Sequence, residues 1–321
     1  MRIIHGTRTL ESPFKASVLT IGNFDGVHLG HRSLIHRLVE RAKALKVPSI
    51  VFTFEPHPVK VLYPDRQLNR IFDQDDLREQ LEKLGVDVLV IEPFSREFSQ
   101  LSPETFLLEW VFKPYVPQAI VVGYDFSFGA NRAGSIEFLK ERAKALGVEV
   151  EVMPPVKVGD VLVSSTRIRQ AVAAGDVELA NALLGRSFYI RGIVEKGAGR
   201  GRKIGVPTAN VRTNAETIPA RGVYAAWVEV RGRRWEAAVN VGFNPTFVDE
   251  SGPVPSIEAH LIGFPQSGES GDLYGETLKV EFVARLREEK KFDSVDALVN
   301  QIQADIAQSR SRLAQLSVTS N

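Results

Sequence analysis

The sequence predicts two domains of different class, an α/β domain built on a parallel sheet and a smaller β-barrel with a terminal helix. Three observations carry this. Up to about residue 185, short continuous apolar runs alternate with amphipathic helical stretches, the pattern of parallel strands covered on both faces. After residue 186, strand-like runs follow one another with no helix between them. The chain then closes on one amphipathic stretch, 294–316, in which Val295, Leu298, Ile302, Ile306 and Leu313 recur at helical spacing. A length of 321 residues also exceeds one average domain.

Residues 17–22 (SVLTIG) read as a buried strand, followed at 30–46 by a helix with Leu34, Leu38, Ala42 and Leu45 on one face. Further strands are expected at 48–54, 87–91, 119–123 and 148–153. Between them a helix is N-capped by Asp73 and stopped by Gly85, another opens at Ser102-Pro103, and a third runs over 136–146 to Gly147. A short helix at 176–184 ends at Gly185. In the second half, strands are expected at 188–194, 222–230, 234–241, 257–262 and 278–284, with a tight hairpin turn at Arg231-Gly232-Arg233. No Pro/Gly/Ser-rich linker marks the switch near residue 186, so the expected boundary is 1–185 and 186–321.

Composition excludes several classes. The 44% hydrophobic content is that of a globular protein with real cores, and a net charge of +1 gives no global field to hold a nucleic acid. With 0 cysteines there is no disulfide, thiolate catalysis or thiolate metal site. No leading apolar segment resembles a signal peptide and no run approaches the ~20 residues that span a bilayer, so the expectation is a cytoplasmic protein without membrane contact. The sequence leaves a weak homo-oligomer open.

Two segments of the first half carry phosphate chemistry. The run Gly22-Asn23-Phe24-Asp25-Gly26-Val27-His28-Leu29-Gly30-His31 joins the first predicted strand to the first helix. Its glycines let backbone approach a phosphate, and the helix N-terminus behind them presents N–H groups and a positive dipole end. His28 and His31, three apart, can lie on one side of a first helical turn and donate to a triphosphate. Ser164, Ser165, Thr166 and Arg167 open another helix, where hydroxyls and a guanidinium form a second phosphate clamp.

His-x-Gly-His followed later by Ser-Ser-Thr-x-Ile-Arg resembles the nucleotidyltransferase superfamily, and the longer Gly-Asn-Phe-Asp-Gly-Val-His-Leu-Gly-His string resembles its FAD synthetase branch. Residues 52–58 (FTFEPHP) and 123–129 (GYDFSFG) support that branch. The resemblance implies a Rossmann-like domain that transfers AMP from ATP to FMN, giving FAD and pyrophosphate. It also implies that Phe54, Pro56, His57, Asp125 and Phe128 face the flavin, while Gly22, Phe24, Gly30 and the Ser164–Arg167 segment face ATP. Read alone, each Phe is equally an ordinary core residue at a strand end.

In the second half, residues 197–205 (GAGRGRKIG) form a glycine-rich basic loop suited to a polyphosphate through Gly199, Arg200 and Lys203. The Pro207-Thr208-Ala209-Asn210 that follows resembles the signature of riboflavin kinases. Residues 222–224, 240–247, 258–261, 272–275 and 287–293 continue that family pattern in order. The resemblance implies that Thr208 and Asn210 help hold Mg²⁺ and ATP, that Glu258 is the base toward the ribityl 5′-hydroxyl, and that Arg287 contacts the flavin phosphate or ATP, with ADP as product. One departure is the 262–271 segment, longer than the family's acidic stretch. Together the halves imply a bifunctional enzyme converting riboflavin to FMN and FMN to FAD. The alternatives are a chain with one active half, a non-catalytic flavin-binding regulator, and an RNA-binding protein acting through residues 200–203, which the near-neutral charge disfavours.

Overall fold

A computed structural model describes residues 1–197, 201, 204–249, 252–265 and 272–318, without the side chains of 243–249, 252–255 and 316–318. The described chain divides into two units, Met1–Ser165 and Thr166–Asn321.

In the first unit, six parallel strands lie in the order β1-β4-β3-β2-β5-β6. They are β1 Arg2–His5, β2 Ser17–Ile21, β3 Ser49–Glu55, β4 Val88–Pro93, β5 Pro117–Gly123 and β6 Glu149–Met153. The five strands expected from continuous apolar runs are all present, and the sheet is buried on both faces. Val18, Val51, Leu89 and Val121 pack against Leu34, Ile35 and Leu38 of α1 (Leu29–Leu45) and Leu77 and Leu81 of α3 (Gln74–Lys83). The short helix α2 (Pro58–Leu62) lies between them in sequence. On the other face Leu19, Ile50, Phe52 and Ile120 meet Phe106, Val111, Tyr115 and Leu139. Those residues come from a helical run after α4 (Arg96–Ser99): α5 (Pro103–Phe106), a π turn at Leu107–Phe112 and α6 (Lys113–Tyr115), and then from α7 (Ile136–Ala145). Each fully buried Leu or Phe here contributes about 1.5–3 kcal/mol.

β1 is an addition to the sequence expectation. It is an edge strand anchored by Thr7, whose amide and hydroxyl both donate to buried Glu92 (2.7 and 2.6 Å) while Tyr115 lies 2.9 Å from the same hydroxyl. Burial holds the Tyr115 hydroxyl above its ordinary pKa. A two-stranded hairpin, β7 (Lys157–Val158) and β8 (Val161–Leu162), closes the unit. The strand order reverses at β2, flanked by β3 and β5, so the carboxyl end of β2 is the switch point where α/β sheets bind ligands.

The second unit takes all but the first residue of α8 (Ser165–Ala174), then α9 (Val177–Leu184), and continues into a closed six-stranded barrel of order β10-β13-β12-β11-β14-β9. Its strands are β9 Phe188–Glu195, β10 Ala209–Arg212, β11 Gly222–Val230, β12 Arg233–Asp249, β13 Gly252–Leu261 and β14 Thr277–Arg287. Both helices pack with the barrel. The Asn181 side chain donates to the Phe282 carbonyl (2.9 Å) and accepts from the Phe188 amide (2.6 Å), and the Ala220 amide donates to the Val172 carbonyl at 3.3 Å. β10 was not expected from the sequence, and β12 runs past its expected end at 241. The β11–β12 turn is the expected tight one: Val230 pairs with Arg233, and Arg231 and Gly232 both take positive φ (50° and 69°), the signature of a type I′ hairpin. The terminal helix α10 (Val295–Val318) lays Leu313 over Ala225, Val283 and Ala284.

Candidate functional sites

The loop leaving β2 is strained. Phe24, Gly26 and Val27 have φ of 50°, 81° and 39°. For a bulky and a β-branched residue this region costs on the order of 1–3 kcal/mol each, and such residues cluster at functional sites. Glycine is required at 26, where a Cβ would stand 2.8 Å from Ile71 Cδ1. The loop is pinned from outside: the Ile71 amide donates to Asp25 Oδ1 (2.9 Å), and the Ser165 hydroxyl donates to the Asp25 carbonyl (2.9 Å). The start of the Ser-Ser-Thr-x-Ile-Arg segment is thereby tied to the first motif. Ser164 lies just before α8, and Thr166 and Arg167 are exposed on its first turn.

His28 caps α1. Its Nδ1 accepts from the His31 amide at 3.2 Å, which fixes the proton of the neutral ring on Nε2. The two imidazoles stack, with centroids 3.6 Å apart and planes 13° apart, and Phe24 meets His31 edge-on at 5.3 Å. The left-handed backbone at Phe24 delivers its ring to that contact. Gly22 directly follows β2 and Gly30 lies in the first turn of α1, so these two glycines, Phe24 and both histidines are brought together at the switch point.

Beside it, Asn23, Phe24, Phe54, His57, Arg70 and Phe72 help line a crevice. His57 caps α2 as His28 caps α1, its Nδ1 accepting from the Val59 amide at 3.2 Å, next to exposed Pro56. Glu55 receives Arg70 and Gln74, two residues that the sequence reading did not single out. Phe128 is buried, its ring 5.3 Å from Phe126 and 5.8 Å from Phe106, and Asp125 is exposed on the turn before it. Phe54 packs within the same aromatic cluster and also reaches the crevice.

The barrel positions its groups by strand register. Asn210 on β10 pairs with Glu258 on β13, and Glu258 pairs with Asn240 on β12. Paired residues point to the same face, so the three side chains form a row with Cα atoms about 5 Å apart. The neighbours Ala209, Val211, Ile257, Ala259, Val239 and Val241 are buried on the opposite face. Asn210, Glu258 and Asn240 are half-buried, and none of their side chains has a hydrogen-bond or ion-pair partner among the described residues. Thr208 precedes β10, and His260 Nδ1 lies 2.8 Å from the Pro207 carbonyl, which fixes that turn to β13. The backbone at Gly197 passes directly over the Asn210 amide. Gly199, Arg200 and Lys203, together with 266–271 of the long segment, lie outside the described residues.

Arg287, at the end of β14, pairs with Val223, the β11 neighbour of Asn240. Its guanidinium is held by Asp305 of α10 through two bonds, Nε–Oδ1 2.9 Å and Nη2–Oδ2 2.7 Å, and Gln301 also donates to Asp305 (2.9 Å). Asp305 is 3% exposed. The residue expected to meet a ligand phosphate is thus anchored to the terminal helix.

A family model for FAD synthetase matches residues 11–167, and one for riboflavin kinase matches residues 184–313. Bifunctional riboflavin kinase/FMN adenylyltransferases are similar along nearly the whole chain. The Pseudomonas fluorescens protein is 37% identical, covering 98% of each chain. That of Bacillus subtilis (strain 168) is 37% identical over 95% of each, and that of Escherichia coli (strain K12) 36% identical over 95% of this chain and 96% of its own. The chain belongs to the bifunctional riboflavin kinase/FMN adenylyltransferase family. A crystal structure described as a macrolide-efflux protein from Streptococcus pneumoniae shares the fold, with a TM-score of 0.86 and 34% identity over 97% of this chain and 99% of that one. Among the described residues of this family member, no helix is long and apolar enough to cross a membrane.

Proposed function

We infer that the barrel phosphorylates riboflavin to FMN with ATP, and that the N-terminal half transfers AMP from a second ATP to FMN, giving FAD and pyrophosphate. The observation that carries the reading is the row Asn210–Glu258–Asn240: half-buried polar groups side by side, without protein partners, in a chain of this family. Half-open to solvent and unused by the described part of the fold, these groups are available to a polar ligand.

In the kinase step Glu258 accepts the proton of the ribityl 5′-hydroxyl, the oxygen attacks the γ-phosphorus, and ADP leaves. Thr208 and Asn210 offer neutral oxygen donors of the kind Mg²⁺ takes. When bound, Mg²⁺ neutralises phosphate charge. Gly199, Arg200 and Lys203 belong to the same nucleotide site in this reading.

In the second step an FMN phosphate oxygen attacks the α-phosphorus of ATP in line, and pyrophosphate leaves. The phosphate is already ionised, so positioning and charge stabilisation suffice. His28 Nε2–H, His31 and Arg167 serve the phosphates, with Gly22, Phe24, Gly30, Ser164, Ser165 and Thr166 around ATP. Phe54, Pro56, His57, Asp125 and Phe128 serve the flavin, and of these Phe54 and His57 line the crevice. Arg287 serves the kinase site from its clamp on Asp305. We place the working boundary at 185/186, just inside the start of the riboflavin kinase segment at 184 and after the FAD synthetase segment, which ends at 167. The reading is of a cytoplasmic enzyme that requires neither nucleic acid nor membrane and is compatible with weak self-association.

A single incubation with riboflavin, ATP and Mg²⁺, with flavins separated over time, tests this. FMN rising and then giving way to FAD is expected. FMN accumulating alone at high ATP would confine the chemistry to the barrel.

A further inference from the structure

The row on the barrel has two flanks. Asn210 stands on one side of Glu258, toward Thr208, and Asn240 stands on the other, away from it. On the kinase reading above, on which this inference rests, the nucleotide phosphates occupy the Asn210 flank. Riboflavin presents its terminal hydroxyl to Glu258 and must therefore run its remaining chain, with three secondary hydroxyls, across the Asn240 flank. The next strand offers Val223, which brings no polar group.

A second polar side chain converges on that flank. Gly242 lies two residues beyond Asn240 on β12, hence on the same face. A Cβ at Gly242 would stand 3.1 Å from Glu289 Oε1 and 3.5 Å from Asn240 Nδ2, so a carboxylate and an amide close on one bare glycine. Neither side chain has a hydrogen-bond or ion-pair partner among the described residues. An amide supplies a donor and an acceptor, and a carboxylate supplies acceptors, which matches a chain of vicinal hydroxyls and not a flat aromatic ring.

We propose that Asn240 and Glu289 are the residues that recognise the polyol chain of riboflavin, with Gly242 leaving the space it occupies. They position the terminal hydroxyl against Glu258 and make the kinase selective for a flavin bearing a hydroxylated chain. Selectivity of this kind is strong because the site's own polar groups are left unpaired by an analogue without hydroxyls.

Asn240→Ala and Gly242→Ala in the full chain test this, the second by filling the space while leaving both polar groups in place. Riboflavin and ATP are varied separately in the kinase reaction, and lumiflavin, which has the same ring with a methyl group in place of the chain, is measured as a competitive inhibitor. In each variant KM for riboflavin should rise roughly tenfold, the worth of one to two hydrogen bonds. KM for ATP and Ki for lumiflavin should stay within about twofold of the unaltered chain. Asn240→Ser, which keeps a hydroxyl, should fall between. An unchanged riboflavin KM in both variants overturns the assignment, as does a lumiflavin Ki that rises in step with it. An unaltered chain that phosphorylates no riboflavin removes the kinase reading itself, a result distinct from either of those.

Discussion

In the N-terminal unit the polar groups are presented by a loop bent into left-handed backbone at Phe24, Gly26 and Val27, and the imidazoles are fixed by capping and stacking. In the barrel they are presented by regular strands, and Asn210, Glu258 and Asn240 line up because three strands are in register. One site stores strain, and the other keeps polar side chains out of bonds to the described residues. Both are ways of holding a catalytic arrangement that a protein selected only for stability would relax. They differ in what a mutation does, since the loop is sensitive to backbone changes and the row to side-chain changes.

The most direct way to break the comparison is to separate the activities. Glu258→Gln should lower FMN formation by on the order of 10²–10⁴-fold while FAD still forms from supplied FMN. His28→Ala with His31→Ala should do the reverse. A folded variant that lost both activities would mean the sites are not independent. Asp305→Ala should come next. It leaves Arg287 beside an empty buried position and should cost about 3–5 kcal/mol in the denaturant stability of the barrel, with kinase activity falling alongside.

Gly26→Ala sharpens the contrast from the other side. With φ of 81° and Ile71 in the way, it should cost about 1–3 kcal/mol and reduce FAD formation, and the kinase rate should be unchanged. The smallest effect expected is on pH. Burial alone would raise the Glu281 carboxyl, but hydrogen bonding and charge from Lys279 and Arg234 outweigh it and hold the pKa below 4.5. Its contribution is therefore present above about pH 4.5 and is lost as the pH falls through the folded value. Denaturation midpoints of Glu281→Gln should approach those of the unaltered chain in acid and lie below them near neutrality.

The contrast also governs what the sequence reveals. The buried strands of the parallel sheet were legible because 17–22, 48–54 and 119–123 are mostly apolar runs without a charge. β1 was not, since Arg2 and His5 bracket only two apolar residues and the strand exists by pairing with β4. β10 escaped for the same reason: Ala209–Arg212 is recruited by β9 and β13. At the sites, the histidine pair lies within four residues and could be read locally. Asn240 beside Glu258, Glu289 beside Gly242, and Asp305 beneath Arg287 are meetings set by register and helix docking, which no local spacing encodes. Arg70 and Gln74 on Glu55 belong with them.

Asn181 shows where the chain can be divided. Its amide group sits at the seam between β9 and β14, bonded to the first residue of one and to the Phe282 carbonyl of the other. A gene cut at residue 186, the boundary drawn from sequence, would yield a barrel with its first strand unlatched and with the surface under α8 and α9 bare. The compact unit that contains the barrel begins earlier, near residue 166. That leaves about twenty residues that any split or transplanted version of this enzyme must carry with the barrel although the first family segment ends within them.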